Sequence, residues 1–135
     1  MIFWYILAVL VVGLALLWWI SKVGRRRRLT DQDRSVITQK WQEIDNLITQ
    51  GRSKEAIFEA DKLLDFTFRK IGLRGETFAD RLRDAQKLVA NYQDLWEAHK
   101  VRNKFAHEIN WDISSSEARR IVAIFGRAID QLKHY

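Results

Sequence analysis

The N-terminal stretch from Ile2 to Ser21 carries no charged side chain. A helix of roughly 20 apolar residues is long enough to cross the ~30 Å hydrocarbon core of a bilayer. Aromatic residues occur near both ends of the stretch, where amphipathic rings settle at the two membrane interfaces; they are Phe3, Trp4, Tyr5, Trp18 and Trp19. Residues 1–21 are therefore predicted to form one transmembrane helix.

The flanks of this segment predict its orientation. A cleaved signal peptide would carry Lys or Arg before the apolar run and small residues at a cleavage site, and neither is present. Positive residues instead follow the run, and such residues stay on the cytoplasmic side; they are Lys22, Arg25, Arg26, Arg27 and Arg28. We expect a single-pass membrane protein with its N-terminus outside, a basic juxtamembrane linker at 22–30 and a cytoplasmic domain at 31–135.

The basic flank also explains most of the net charge of +6. Five of the 23 Lys and Arg residues lie in it, which leaves 18 against 17 Asp and Glu in the rest of the chain. A basic chain often binds nucleic acid. Here the excess positive charge lies next to the apolar segment and indicates its orientation in the membrane. Anionic lipid headgroups are the favoured partner of the arginine run.

The soluble part shows helical periodicity throughout, with no alternating strand pattern. Ile37, Trp41, Ile44 and Ile48 recur at helical spacing until Gly51. Ser53 is expected to cap a second helix that ends near Gly72.

Two further capping sequences divide the remainder of the chain. Thr77 with Asp80 predicts the start of a third helical run, and Ser114 with Glu117 predicts the last helix. The intervening stripe continues to Ala106, and the pattern does not decide whether Ala90 and Asn91 break it. The fold class predicted is all-α, with the transmembrane helix followed by an antiparallel bundle of four or five helices.

The stripe that ends at Ala106 contains a short polar motif, Arg102-Asn103-Lys104-Phe105-Ala106-His107. It resembles the RNxxAH form of the R-x4-6-H signature of HEPN domains, which are small helical proteins, many of them metal-independent ribonucleases. The resemblance implies a HEPN-like bundle with Arg102 and His107 as catalytic residues and no cofactor. It further implies that Asn103 orients the phosphate or the histidine, and that RNA is the substrate. HEPN toxins of one subgroup have a tyrosine two positions after the histidine, where this chain has Ile109.

Arginine and histidine suit this chemistry. RNA cleavage without a metal uses the 2′-hydroxyl as the nucleophile, and it needs a base, an acid and a cation. Histidine exchanges protons near neutral pH, and arginine binds two phosphate oxygens at once.

The spacing of the motif complicates a site within one chain. Five residues on an ideal helix turn it by roughly 140°, so Arg102 and His107 share a face only if the helix bends, bulges or ends between them. Each chain also offers one motif histidine, whereas the reaction asks for an acid and a base. A two-fold homodimer would supply two copies of each residue, and the resemblance implies the same arrangement.

Structural roles compete with catalytic ones for these residues. Arg102 could pair with a neighbouring acid, and His107 could cap a helix C-terminus. His99 is expected to be structural or to lie at an interface. Asp61 and Asp65, with Lys62 and Arg69 nearby, are expected to form surface ion pairs rather than a metal site.

Two functions therefore remain open from the sequence. One is a dimeric, membrane-anchored, metal-independent endoribonuclease acting on single-stranded RNA. The other is a non-catalytic HEPN-like module that dimerises or recruits an unidentified protein partner at the inner membrane face. The chain contains no Cys, which excludes disulfides and thiolate metal sites.

Overall fold

The computed structural model describes residues 1–22, 26–108 and 110–135, without the side chains of Ser21 and Lys22. Within these residues the chain is all-helical and has no strand. Six helices follow in order: α1 Ile2–Lys22, α2 Asp31–Thr49, α3 Ser53–Lys70, α4 Phe78–Asp84, α5 Tyr92–His107 and α6 Ser115–Lys133. The all-α prediction is confirmed. Two predicted features, Arg25 and Ile109, lie outside the described residues, as does the Lys22 side chain.

Helix α1 is long and apolar enough to span a membrane from Ile2 to Ile20. Its large apolar side chains are exposed rather than packed against the rest of the protein. A core helix of a soluble protein would bury them, so α1 is not a core helix of the described part of the chain. A signal sequence would have the same length and composition.

The other five helices form a bundle in which α3 packs against α2, α4, α5 and α6. Its core is one contiguous apolar cluster. The largest fully buried side chains come from every helix of the bundle, and they include Ile37, Ile44, Ile57, Leu64, Phe68, Leu82, Leu95, Ile121, Phe125 and Leu132. The helical stripes read from the sequence are thus the buried faces.

Helix starts follow the capping chemistry of the sequence, with one correction. Thr77 caps α4 in a complete capping box with Asp80, and the Ser114 hydroxyl accepts from the Glu117 amide. The prediction for Ser53 was wrong by one residue: the N-cap is Arg52, whose side chain makes no capping bond. The Arg52 guanidinium instead bonds to Glu55 one turn along the helix.

The helical structure is interrupted between α4 and α5, at the position where the sequence periodicity did not decide whether Ala90 and Asn91 break the helix. Asn91 is the N-cap of α5, and its side-chain amide donates to the Ile124 carbonyl of α6 at 3.0 Å. The Ala90 amide donates to the Gln131 side chain at 3.0 Å. Contacts with α6 therefore fix where α5 begins, and the local sequence does not contain that information.

Part of the expected linker belongs to the bundle. The Arg27 amide donates to the Ile71 carbonyl at the end of α3 at 2.9 Å, and Leu29 is buried in the core. Arg26 reaches the Tyr135 hydroxyl at 3.5 Å. The segment that leads out of α1 is thereby attached at the C-terminal ends of α3 and α6.

Candidate functional site

The motif arginine lies in a cluster of four polar side chains, here called the Asp61 cluster, formed by Asp61, His99, Arg102 and Asn103. His99, Arg102 and Asn103 are on α5 at relative positions 0, 3 and 4, which places them on one face of the helix. Asp61 projects from the middle of α3, which packs against that face. Two helices thus bring a carboxylate, an imidazole, a guanidinium and an amide together.

The four side chains form a closed chain of contacts. His99 Nδ1 is 2.9 Å from Asp61 Oδ1, and His99 Nε2 is 3.1 Å from Asn103 Nδ2. Arg102 Nη1 donates to Asn103 Oδ1 at 3.1 Å. Arg102 Nε is 3.3 Å from Asp61 Oδ2, but this buried N–H makes no hydrogen bond among the described residues. We take the Arg102–Asp61 contact as an ion pair, because the distance is short while the N–H direction is poor.

The donor and acceptor roles in the cluster follow from Arg102. A guanidinium can only donate, so the Asn103 atom that faces it must be the amide oxygen. The Asn103 NH₂ group then faces His99 Nε2, which must accept. These contacts assign the His99 proton to Nδ1, from which it is donated to Asp61.

Burial and stacking restrict the cluster further. The side chains of Asp61, His99 and Arg102 are 6%, 12% and 28% exposed. The His99 imidazole stacks on Phe78 at a centroid distance of 4.3 Å, and the Arg102 guanidinium lies 4.9 Å from the Phe58 ring centroid. Of these three side chains, Arg102 retains the most contact with solvent.

Three members of the cluster, Asp61, His99 and Arg102, line an open cavity of about 610 Å³ between α2, α3, α4 and α5, here called the side cavity. Apolar side chains form part of its wall, and four acidic and four basic side chains complete it. Each acid has a basic partner: the pairs are Lys40–Glu43, Lys62–Glu59, Arg69–Asp65 and Arg102–Asp61. The side cavity is therefore charged but balanced, unlike a strongly basic nucleic-acid groove.

His107 lies apart from Arg102. Helix α5 continues without interruption through both residues and ends after His107, so the two side chains point in different directions around the helix. His107 is exposed and lines a shallow recess with Glu108, Asn110 and Trp111. A single chain brings Arg102 and Asn103 together, and it does not bring His107 to them.

Asp61 is the site residue that the sequence prediction placed wrongly. It was expected to form a surface ion pair near Lys62, but it is buried, and Lys62 pairs with Glu59 instead. The available signal was its spacing: Ile57, Asp61, Leu64 and Phe68 recur at helical steps, so the carboxylate lies within the buried stripe of α3. A carboxylate in such a stripe needs a partner from another helix.

No group of His, Asp and Glu side chains suited to a metal ion occurs in the part of the chain that the structure describes. No model of a known protein family, no curated protein and no solved structure matches this chain.

Proposed function

We propose that this protein is a membrane-anchored, HEPN-like helical domain that cleaves single-stranded RNA without a metal ion. The observation that supports it is that Arg102, the arginine of the RNxxAH motif, lies with the His99 imidazole on the wall of an open cavity, and that Asn103 hydrogen-bonds to Arg102 behind that wall. A cation, a hydrogen-bonding amide and a titratable ring are the groups that phosphodiester transesterification needs. The side cavity is wide enough to admit a nucleotide.

In this proposal α1 is an uncleaved membrane anchor. Lys22 and the arginines at 25–28 hold the bundle on the cytoplasmic side, and Arg26, Arg27 and Arg28 contact anionic lipid headgroups. The exposed apolar surface of α1 and the basic residues directly after it support this topology.

Arg102 is the proposed phosphate ligand. Its planar guanidinium presents several N–H donors, and only one donates to Asn103. Participation of His107 in the same site requires a second copy of the chain, because the two residues are separate within one copy. A two-fold homodimer that joins the α5 helices is the arrangement consistent with the motif.

The test uses the full chain in lipid nanodiscs with EDTA and a fluorescent single-stranded RNA oligonucleotide. We expect products that end in a 2′,3′-cyclic phosphate, because the 2′-hydroxyl is the nucleophile. Arg102→Gln should lower the rate by roughly 100-fold or more, the usual effect of removing a group that stabilises transition-state charge. Arg119→Gln, at an exposed position of α6, is the matched control and should not change the rate. An inactive wild-type chain contradicts the proposal.

The second candidate is a non-catalytic HEPN-like module that assembles at the membrane. It is favoured by the pairing of Arg102 with the buried Asp61 carboxylate, which offsets the charge that RNA would meet. This function predicts no RNA cleavage by wild-type protein, together with self-association in the bilayer. Mass photometry measures the mass of each loaded nanodisc and so shows whether it contains one copy of the chain or two.

A further inference from the structure

We infer that the histidine acting with Arg102 is His99, oriented by Asp61, and that one chain alone contains the reacting pair. The inference rests on the proposed ribonuclease function and changes its assignment of residues. The motif assigns His107 to this role, whereas the contacts of the folded chain favour the histidine one turn before Arg102.

The positions of the residues on α5 favour His99 over His107. Three residues on a helix differ by roughly 60° in direction, whereas five differ by roughly 140°. His99 and Arg102 therefore face the same way, both line the side cavity, and both contact Asp61. His107 meets none of these conditions, because it lies in the recess with Trp111.

The hydrogen bonds of His99 also suit a general base. The Asn103 NH₂ group faces His99 Nε2, which assigns the lone pair to Nε2 and the proton to Nδ1, 2.9 Å from Asp61 Oδ1. A base held by a buried carboxylate on its other nitrogen is the arrangement that orients a catalytic imidazole. The stacking on Phe78 restrains the plane of the imidazole and adds to this orientation.

In the proposed reaction His99 is the base and Arg102 the phosphate ligand. A 2′-hydroxyl replaces the Asn103 amide as the partner of His99 Nε2 and transfers its proton to that nitrogen. The 2′-oxygen forms a bond to phosphorus while the bond from phosphorus to the 5′-oxygen breaks. Solvent water protonates the departing 5′-oxygen, and His99 later returns its proton to solvent. Arg102 binds the phosphate oxygens, and the released Asn103 amide donates to one of them.

The experiment compares the three histidines of the chain, which are His99, His107 and His134. Full-length protein in nanodiscs with EDTA is assayed on single-stranded RNA, and on the same oligonucleotide with 2′-O-methyl groups, which blocks the nucleophile. His99→Gln should lower kcat by about 100-fold or more with a smaller change in KM, because a general base acts in the transition state. His134→Gln, at the exposed C-terminal cap of α6, is the control and should leave the rate unchanged.

His107→Gln decides between the two assignments. We expect a loss at least tenfold smaller than that of His99→Gln. If His107→Gln costs as much as His99→Gln or more, the inference is wrong and the proposed function stands. If the wild-type protein does not cleave, or cleaves the 2′-O-methyl oligonucleotide equally well, the proposed function itself is wrong.

A measurement on the wild-type protein covers the case in which His99→Gln does not fold. Selective ¹⁵N labelling of histidine gives signals from only three imidazoles, and their nitrogen shifts report which nitrogen is protonated. We expect the His99 signal, assigned by its loss in a second variant, His99→Asn, to show a protonated Nδ1. Asp61→Asn should alter this signal and leave those of His107 and His134 in place. An unprotonated Nδ1 in the wild-type protein overturns the inference whatever the activity.

Discussion

Asp61→Asn should destabilise the bundle by about 2 kcal/mol, because it removes the carboxylate that faces Arg102 while keeping the shape of the side chain. At a separation of 3.3 Å the two charges attract by roughly 5 kcal/mol at an effective dielectric constant of about 20. Removing one partner of a fully buried pair costs about 3–5 kcal/mol. Arg102 retains 28% of its side-chain exposure, so water screens part of this effect and the expected loss is smaller.

A surface pair provides the control. Lys40 and Glu43 are only 2.6 Å apart, and their hydrogen bond raises the pKa of Lys40. Their side chains are 53% and 51% exposed, so Glu43→Gln should destabilise the bundle much less than Asp61→Asn despite the shorter distance. Urea unfolding of the full chain in non-ionic detergent, followed by helical circular dichroism, gives both values. Equal losses for the two variants would refute the reasoning, since burial would then have no effect on the strength of the pair.

Three further predictions concern packing, acid stability and topology. Gly126→Ala should lower the free energy of unfolding by about 1 kcal/mol, because a Cβ there would lie 2.7 Å from the Trp41 ring and the overpacking exceeds the gain in helix propensity. Calorimetry should show that the same substitution is stabilising in a Trp41→Ala background. Stabilisation in the wild-type background would contradict this prediction. Hydrogen bonding, mainly to Lys70, lowers the pKa of Asp33 from 3.8 to about 2. The ionised Asp33 carboxylate therefore stabilises the fold fully above about pH 4, and this stabilisation is lost as the pH falls through 2. In acid titrations the stability difference between wild type and Asp33→Asn should shrink across that window, and a constant difference would contradict the assignment. Thr38→Cys places one exposed thiol in a chain without Cys, and a membrane-impermeant maleimide should label it only after cells are permeabilised; labelling of intact cells would reverse the proposed topology.

Most helices of the bundle could be predicted from the sequence because the capping residues and apolar stripes that indicate them are local. The Thr77–Asp80 capping box and the Ser114 cap depend on residues three positions apart, and the apolar stripes depend on one helix at a time. The start of α5 was not readable, since Asn91 is fixed by a carbonyl of α6 that lies 33 positions away in the chain. Local patterns do not encode such a contact.

The candidate site divides in the same way. The motif identified Arg102 and Asn103, which are neighbours on α5 and hydrogen-bond to each other. It did not identify Asp61, whose partner His99 lies 38 positions away. Sequence spacing correctly indicated that Arg102 and His107 do not share a helix face. The contact of Asp61 with Arg102 and His99 on the other face depends on how α3 packs against α5, which the spacing does not show. Tertiary packing therefore determines which histidine faces the side cavity.

The attachment of the linker limits where the proposed nuclease can act. Arg27 is bonded to the end of α3, so only residues 23–25 separate the described end of α1 from the described linker. From residue 22 to residue 26 an extended chain spans at most roughly 14 Å. Asp61 precedes Ile71 by ten residues of helix, which is roughly 15 Å. With α1 as the proposed membrane anchor, the side cavity would stay within a few tens of ångströms of the membrane surface, and the proposed nuclease would reach RNA that is held at the membrane. Lengthening the chain between residues 22 and 26 with a flexible Gly/Ser insert should extend cleavage to RNA tethered farther from the bilayer, and an unchanged reach would show that the linker does not set the distance.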